Sequence, residues 1–272
     1  MKKLVSIQDI SCFGQCSLTV ALPVLSAYGV ETAILPSAIL STHTCGFKDF
    51  TVLDLTDEMP KIVNHWIAEG ITFDAIYTGY IGDTRQFDLI LDAKEKLLSE
   101  NGKLIVDPAM ADHGMLYPAL GEDIVNGMRS IVKKADIILP NLTEAAFLLE
   151  KEYKESYTEP EIKEMLKALE ELGPEISILT GVSYEEGKIG AAAYVKSTGE
   201  FIEYFAEKQE KGYHGTGDIF SSVAIANLVN GKSIYDSLAD ACEFIVRCIK
   251  NTEAHPEHGY GVCFESVLAE RM

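Results

Sequence analysis

Short apolar runs that alternate with amphipathic stretches are the feature that most limits what this chain can fold into. Residues 4–7, 33–35, 75–77, 104–106, 137–139 and 176–179 are each mostly apolar and short enough to read as a buried strand. Between them lie helical patterns. In 161–172 the apolar residues Ile162, Met165, Leu166, Leu169 and Leu172 form a stripe along one helix face. Pro160 suits the start of that helix and Gly173-Pro174 its end. Such β–α alternation predicts an α/β fold, with a central, mostly parallel sheet covered by helices on both faces. Residues 189–206 depart from it: 190–195 and 201–205 flank Ser197-Thr198-Gly199 and read as an antiparallel hairpin at one edge. Two helices should follow, around 218–228 and 233–249. No linker, low-complexity tract or repeat interrupts the pattern, which predicts one domain over residues 1–272. At 47% apolar residues, that length can bury one large core.

Charge narrows the partners. The chain has 42 Asp and Glu against 23 Lys and Arg, a net charge of -19. A surface that negative repels nucleic acid and anionic lipid, so neither is an expected partner. A phosphate-bearing ligand stays open to it, since a site can be locally positive or can use metal ions. Lys2 and Lys3 precede an apolar stretch too short for a signal-peptide core, and no apolar run is long enough to span a membrane. Six cysteines, Cys12, Cys16, Cys45, Cys242, Cys248 and Cys263, are scattered without CxxC spacing. They read as reduced thiols of a cytoplasmic protein, where the sequon Asn141-Leu142-Thr143 carries no meaning.

Polar clusters follow nearly every predicted strand: Gln8-Asp9 after the first, Asp107 after the fourth, Asn141 after the fifth and Thr180 after the sixth. Ligands of open α/β sheets bind beyond the carboxyl ends of the strands. Gly215-Thr216-Gly217-Asp218, ahead of a helical pattern, is the sharpest motif. Two glycines let the backbone turn and aim N–H groups at one point, and a helix start adds its dipole: an anion site. Asp218 beside it could take a proton from an attacking hydroxyl. The same residues also suit an N-capping Asp after a glycine turn.

Phe220 stands where a dinucleotide fingerprint needs its third glycine. Residues 226–233 match a relaxed P-loop pattern in the wrong context: they straddle two helices, with Gly231 as a C-terminal cap and Ser233 as an N-cap. Asp107 and Glu144, at neighbouring strand ends, suit Mg²⁺. Alternatively, Asn141 caps a helix and Glu144 completes the cap. His43-Thr44 lies in a loop of small polar residues. His255 and His258 read as solvent-exposed tail residues.

Taken in order, LVSIQD, LSTHTCGF, TGYIGD, VDPAMAD, LPNLTEAAFL, ILTG and GTGDIFSS resemble the ribokinase-like superfamily and, within it, the pyridoxal (vitamin B6) kinases. The resemblance runs along nearly the whole chain. It implies an ATP-dependent kinase that phosphorylates a hydroxymethyl group, with Asp218 as general base and the amides of Gly215, Thr216 and Gly217 as anion hole. It places Asp107 and Glu144 on Mg²⁺, Glu144 through water, with a monovalent cation such as K⁺ assisting. Asn141, Thr180 and Gly181 would lie along the ATP phosphates; Asp9, His43, Thr44 and Tyr80 would face the substrate ring. The family also implies a homodimer.

One position departs from the family. Members often carry Ser where this chain has Asp9, and a carboxylate there favours a cation or a hydrogen-bond donor. The ammonium of pyridoxamine fits, and so does the amino group of hydroxymethylpyrimidine, the related thiamine-pathway substrate; the HT-G segment favours the B6 vitamer. A catalytically silent binding protein on this fold would need neither Asp218 nor its flanking glycines, yet all are present.

Overall fold

The computed structural model describes residues 1–44, 46–118 and 120–271. In chain order the first half forms β1 (Lys3–Ser11), α1 (Leu18–Ala27), β2 (Glu31–Leu40), β3 (Val52–Asp54), α2 (Met59–Ala68), β4 (Phe73–Thr78), α3 (Arg85–Leu97), β5 (Leu98–Val106), β6 (Ala111–Asp112) and β7 (Met115–Leu116). Then come α4 (Glu122–Val132), β8 (Ile137–Ile138), α5 (Leu142–Leu148), α6 (Glu159–Glu171), β9 (Ile176–Val182), β10 (Lys188–Val195), β11 (Glu200–Glu207), α7 (Thr216–Val229), α8 (Ile234–Glu253) and α9 (Glu265–Ala269).

Among the described residues, nine strands form one sheet in the order β11-β10-β9-β8-β5-β4-β1-β2-β3. The six strands read from the sequence all lie in it and pair in parallel. The hairpin β10–β11 is antiparallel and closes one edge. At the other edge β3 adds an antiparallel strand that the sequence reading did not anticipate. Val52 and Leu53 are exposed there, so β3 carries no apolar-inward signal.

Alternation within the strands builds two cores. Val5, Ile76, Leu104, Ile138 and Leu179 face a core that holds residues of α2 to α6. Their neighbours Leu4, Ala75, Ile105, Ile137 and Ile178 face one built with α1, α7, α8 and α9. Helices on both faces are the reason these strands read as continuous apolar runs. α7 is buried almost all round, which its small residues Ser221, Ser222, Ala224 and Ala226 permit by letting α1 and α8 approach.

Local punctuation follows the residues. Thr158 and Glu161 form a capping box at the start of α6, beside Pro160. α7 ends with the Gly231 and Lys232 amides on Leu228 O and Asn227 O, both at 3.0 Å, and Gly231 at φ 85. Ser233 caps α8 through the Asp236 amide at 3.1 Å. The P-loop-like stretch is thus two helix caps.

Two polar residues expected beyond strand ends lie inside strands: Asp9 in β1 and Thr180 in β9. β1 continues because its backbone still pairs with β2, through a register shift between Gln8 and Ile10 that re-aims the side chain between them. Cys12, Cys242, Cys248 and Cys263 carry free thiols; Cys45 lies outside the described residues. Among the described residues, no helix is long and apolar enough to cross a membrane.

Candidate active site

The parallel strands share a direction, so their carboxyl ends meet along one edge of the sheet, where α7 begins. Gly215, its N-cap, sits at φ 87, ψ -4, a left-handed backbone that glycine takes without strain. A Cβ there would stand 2.0 Å from Gln15 O, so loop 12–17 is seated directly on this glycine. Gly215 has no side chain with which to cap α7. The first amides of a helix lack intrahelical acceptors and sit at the positive end of its dipole. Gly217 is exposed, and a Cβ built on it meets nothing within 4 Å. This helix start has the geometry of an anion site.

Asp218 is half-buried in the first turn of α7. Burial pushes its carboxyl up to about 6; the Ser17 backbone N–H opposes that shift and the charge of Asp9 adds to it. One turn further on, Ser221 donates its hydroxyl to Asp107 Oδ2 at 2.6 Å. The helix that carries Asp218 thus also holds Asp107, at the end of β5. Burial raises the Asp107 carboxyl, Ser221 opposes this, and Asp218 raises it further.

Glu144 is 2% exposed, and both of its oxygens accept backbone bonds. Met110 N–H reaches Oε1 at 3.2 Å and Asn141 N–H reaches Oε2 at 2.8 Å. Asn141 returns the bond, accepting from Glu144 N–H at 2.9 Å, which completes a capping box on α5. Its Nδ2 donates to Ala111 O at 2.8 Å. Both polar ends of the Asn141 side chain are thus engaged within the protein. Asn141 pairs in parallel with Thr180, which precedes the exposed, left-handed Gly181.

Burial and the nearby Asp107 charge hold the Glu144 carboxyl well above the usual range. Two hard oxygen donors that repel one another suit a divalent cation completed by waters and substrate phosphates. Among the described residues, no group of three or more His, Cys, Asp or Glu side chains gathers to hold a metal.

Asp9, whose charge acts on Asp218, is 3% exposed and its Oδ2 accepts the Ser11 hydroxyl at 3.0 Å. Tyr80 follows β4, and burial and the Asp9 charge raise its phenol. His43, buried, meets Tyr260 O at 2.9 Å through Nε2, and Thr44 follows it, half-buried. A Cβ on Gly14 would stand 2.0 Å from His43 Cδ2, so only a glycine lets loop 12–17 pass this ring. The structure therefore makes Asp9 a neighbour of His43, Tyr80 and Asp218, makes Asp107 a neighbour of Asp218 and Glu144, and pairs Asn141 with both Glu144 and Thr180.

A family model for phosphomethylpyrimidine kinase matches residues 20–263, most of the chain. The chain belongs to the phosphomethylpyrimidine kinase family. A Bacteroides thetaiotaomicron protein assigned to that activity, solved with pyridoxal, is 38% identical with a TM-score of 0.94, covering 99% of this chain and 95% of its own. The pyridoxal kinase of Lactobacillus plantarum is 31% identical with a TM-score of 0.91, covering 100% of this chain and 96% of its own. The pyridoxine kinase of Bacillus subtilis is 30% identical over 71% of this chain and 69% of its own. The fold is ribokinase-like, as the resemblance implied.

In this member of the phosphomethylpyrimidine kinase family, sequence reasoning missed four residues that build the site. Ser221 lies one turn after Asp218 and was legible from that spacing. His214, immediately before Gly215, lies 5.8 Å from the His43 ring; burial, then His43, lowers its basicity, and Asp112 opposes them. Ser17 and Tyr260 carried no motif. His258 corrects an expectation: while His255 is exposed, the His258 ring packs at a tilt against Tyr260, centroids 4.0 Å apart, and its Nδ1 pairs with Gly261 O at 3.0 Å.

Proposed function

We propose that this chain is one kinase domain that uses ATP to phosphorylate the 5′-hydroxymethyl group of a B6 vitamer. The observation that carries the reading is a single helix start that combines uncapped amides, a partly buried carboxylate with raised basicity, and a tether to a second carboxylate. The 38% identical structure holding pyridoxal supports the vitamer. Pyridoxal kinases from Staphylococcus aureus solved with ADP and with AMP-PCP have the same fold and support the nucleotide.

Phosphoryl transfer asks little covalent work of a protein, so positioning and charge stabilisation dominate. Asp218 takes the proton of the 5′-hydroxyl as its oxygen attacks the terminal phosphorus. The amides of Gly215, Thr216 and Gly217 receive the charge of the transferring group. Thr180 and Gly181 border the phosphates by backbone; Asn141 supports that border through its cap on α5. Asp9, His43, Thr44 and Tyr80 form the wall for the ring. Asp107 directly, and Glu144 through water, would hold Mg²⁺, which when bound neutralises phosphate charge; K⁺ is the monovalent ion implied by family resemblance. A homodimer in the cytoplasm completes the reading, and light-scattering mass tests the dimer.

The family model's own description makes hydroxymethylpyrimidine the second substrate to weigh. A panel of pyridoxal, pyridoxine, pyridoxamine and hydroxymethylpyrimidine with ATP, read by product mass, separates the two. Phosphate appearing mainly on the pyrimidine would overturn the vitamer reading.

Acidity supplies another test. Asp218 acts as a base only when ionised, and kcat/KM reports the free enzyme. With its carboxyl pushed up to about 6, kcat/KM should fall about tenfold per pH unit below that value and level off above it. A profile flat from pH 7 to well below 5 would contradict Asp218 as base.

Glu144→Gln keeps one acceptor for the cap but turns its amide nitrogen toward the second backbone N–H, that of Met110 or Asn141. The expected result is a lower Tm, by the equivalent of about 1–3 kcal/mol, together with a raised Mg²⁺ requirement. An unchanged Mg²⁺ requirement would confine Glu144 to capping.

A further inference from the structure

Asp9 is a carboxylate that phosphoryl transfer itself does not require. It is nearly fully buried, and it lies ahead of the segment that matches the family model. The groups around it are Ser11 on its own strand, Ser17 at the start of α1, His43 after β2, Tyr80 after β4 and Asp218 on α7.

Ser17 is the unusual member. It holds the N-cap position of α1, where serine ordinarily accepts from the helix, yet it makes no capping bond. Its hydroxyl turns to Asp9 instead, while its backbone N–H faces Asp218. To do both, it adopts φ 53, ψ -131, a backbone that favours glycine. Such strain persists only where the surroundings over-determine it, and it clusters at functional sites. One strained residue thus ties the base to a second, buried carboxylate.

We propose that Asp9, held by Ser11 and Ser17, reads the ring substituent next to the reacting hydroxymethyl group and selects a cationic aminomethyl over a neutral aldehyde or alcohol. The inference rests on the vitamer-kinase reading. On the pyridine ring the 4-substituent adjoins the 5-hydroxymethyl group. Asp218 must touch the 5′ oxygen, and of the two ring positions beside C5 only C4 carries a substituent, so that is the group a carboxylate near Asp218 can read. A neutral group there offers Asp9 no charge-assisted partner, while the charge of Asp218 stands beside it. An ammonium gives it a charge-assisted hydrogen bond and relieves both carboxylates.

The test is kcat/KM for pyridoxamine, pyridoxal and pyridoxine with ATP in wild type, Asp9→Asn and Ser17→Gly. The wild type should favour pyridoxamine. In Asp9→Asn the pyridoxamine-to-pyridoxine ratio should fall about 10- to 100-fold, mostly through the KM of pyridoxamine. Any general loss of activity cancels in that ratio. Ser17→Gly keeps the N–H on Asp218 and loses only the hydroxyl on Asp9. Its ratio should fall in the same direction, about tenfold, with a Tm that holds or rises because glycine takes this backbone freely. A wild-type ratio in Asp9→Asn would overturn the role of Asp9 while leaving the vitamer-kinase reading intact. A wild type that phosphorylates none of the three would remove that reading, and this inference with it.

Discussion

Asp218→Asn is expected to lower kcat by about 10²–10⁴-fold, the usual contribution of a positioned base, while the KM values for ATP and vitamer stay near wild type. The amide matches the carboxylate in shape and still accepts from the Ser17 N–H, but it cannot take up a proton. Stability should move the other way. The folded-state pKa of Asp218 lies above its ordinary value, so the fold is favoured while the group is protonated. That advantage is lost as pH rises through about 6. Asparagine carries no such penalty, so at pH 8 the variant should melt no lower than wild type. Steady-state kinetics beside thermal melts read both quantities. An Asp218→Asn enzyme that turns over at the wild-type rate would defeat the catalytic role, and the matched melt excludes misfolding as the cause of a loss.

The second large effect belongs to the glycines. Gly215→Ala should cost about 10²–10³-fold in kcat/KM, the cost of losing an anion-stabilising donor, together with about 1–3 kcal/mol of stability from the left-handed backbone. Its methyl would be driven into Gln15 O, a backbone atom with no rotamer of escape. The loop that must then shift also holds Ser17, whose amide faces Asp218. Gly217→Ala separates chemistry from folding. It adds a methyl at an exposed helix position where nothing stands within 4 Å. Its Tm should hold or rise with the better helix propensity of alanine, while the methyl narrows the space beside the anion-binding amides and raises the KM for ATP. Equal losses of Tm in the two variants would argue that both glycines serve only the turn.

Much of the architecture could be read locally. The run at 104–106 is apolar throughout, and those at 4–7 and 176–179 are broken only by the small Ser6 and Ser177, as suits a strand covered on both faces; all three lie in the central sheet. The caps at Thr158, Gly231 and Ser233 are bonds between residues a few positions apart, so residue type and spacing carry them. β3 escaped because an exposed edge strand of three residues buries no face. The Glu144 capping box was legible as one of two alternatives. Its engagement of both carboxylate oxygens was not, because one of them accepts from Met110, 34 residues away.

The pattern of side chains along the chain was sufficient to determine the layered α/β sheet, the edge hairpin and the glycine-led start of α7, since each expresses a free-energy preference between near neighbours. Tertiary structure alone decided that His43 meets a carbonyl 217 residues away, that His258 backs that contact, and that Ser17 bends out of its capping role to serve Asp9 and Asp218. Those contacts join separate loops. Their energies depend on how the sheet orders its strands in space, and no local window of residues contains that distance.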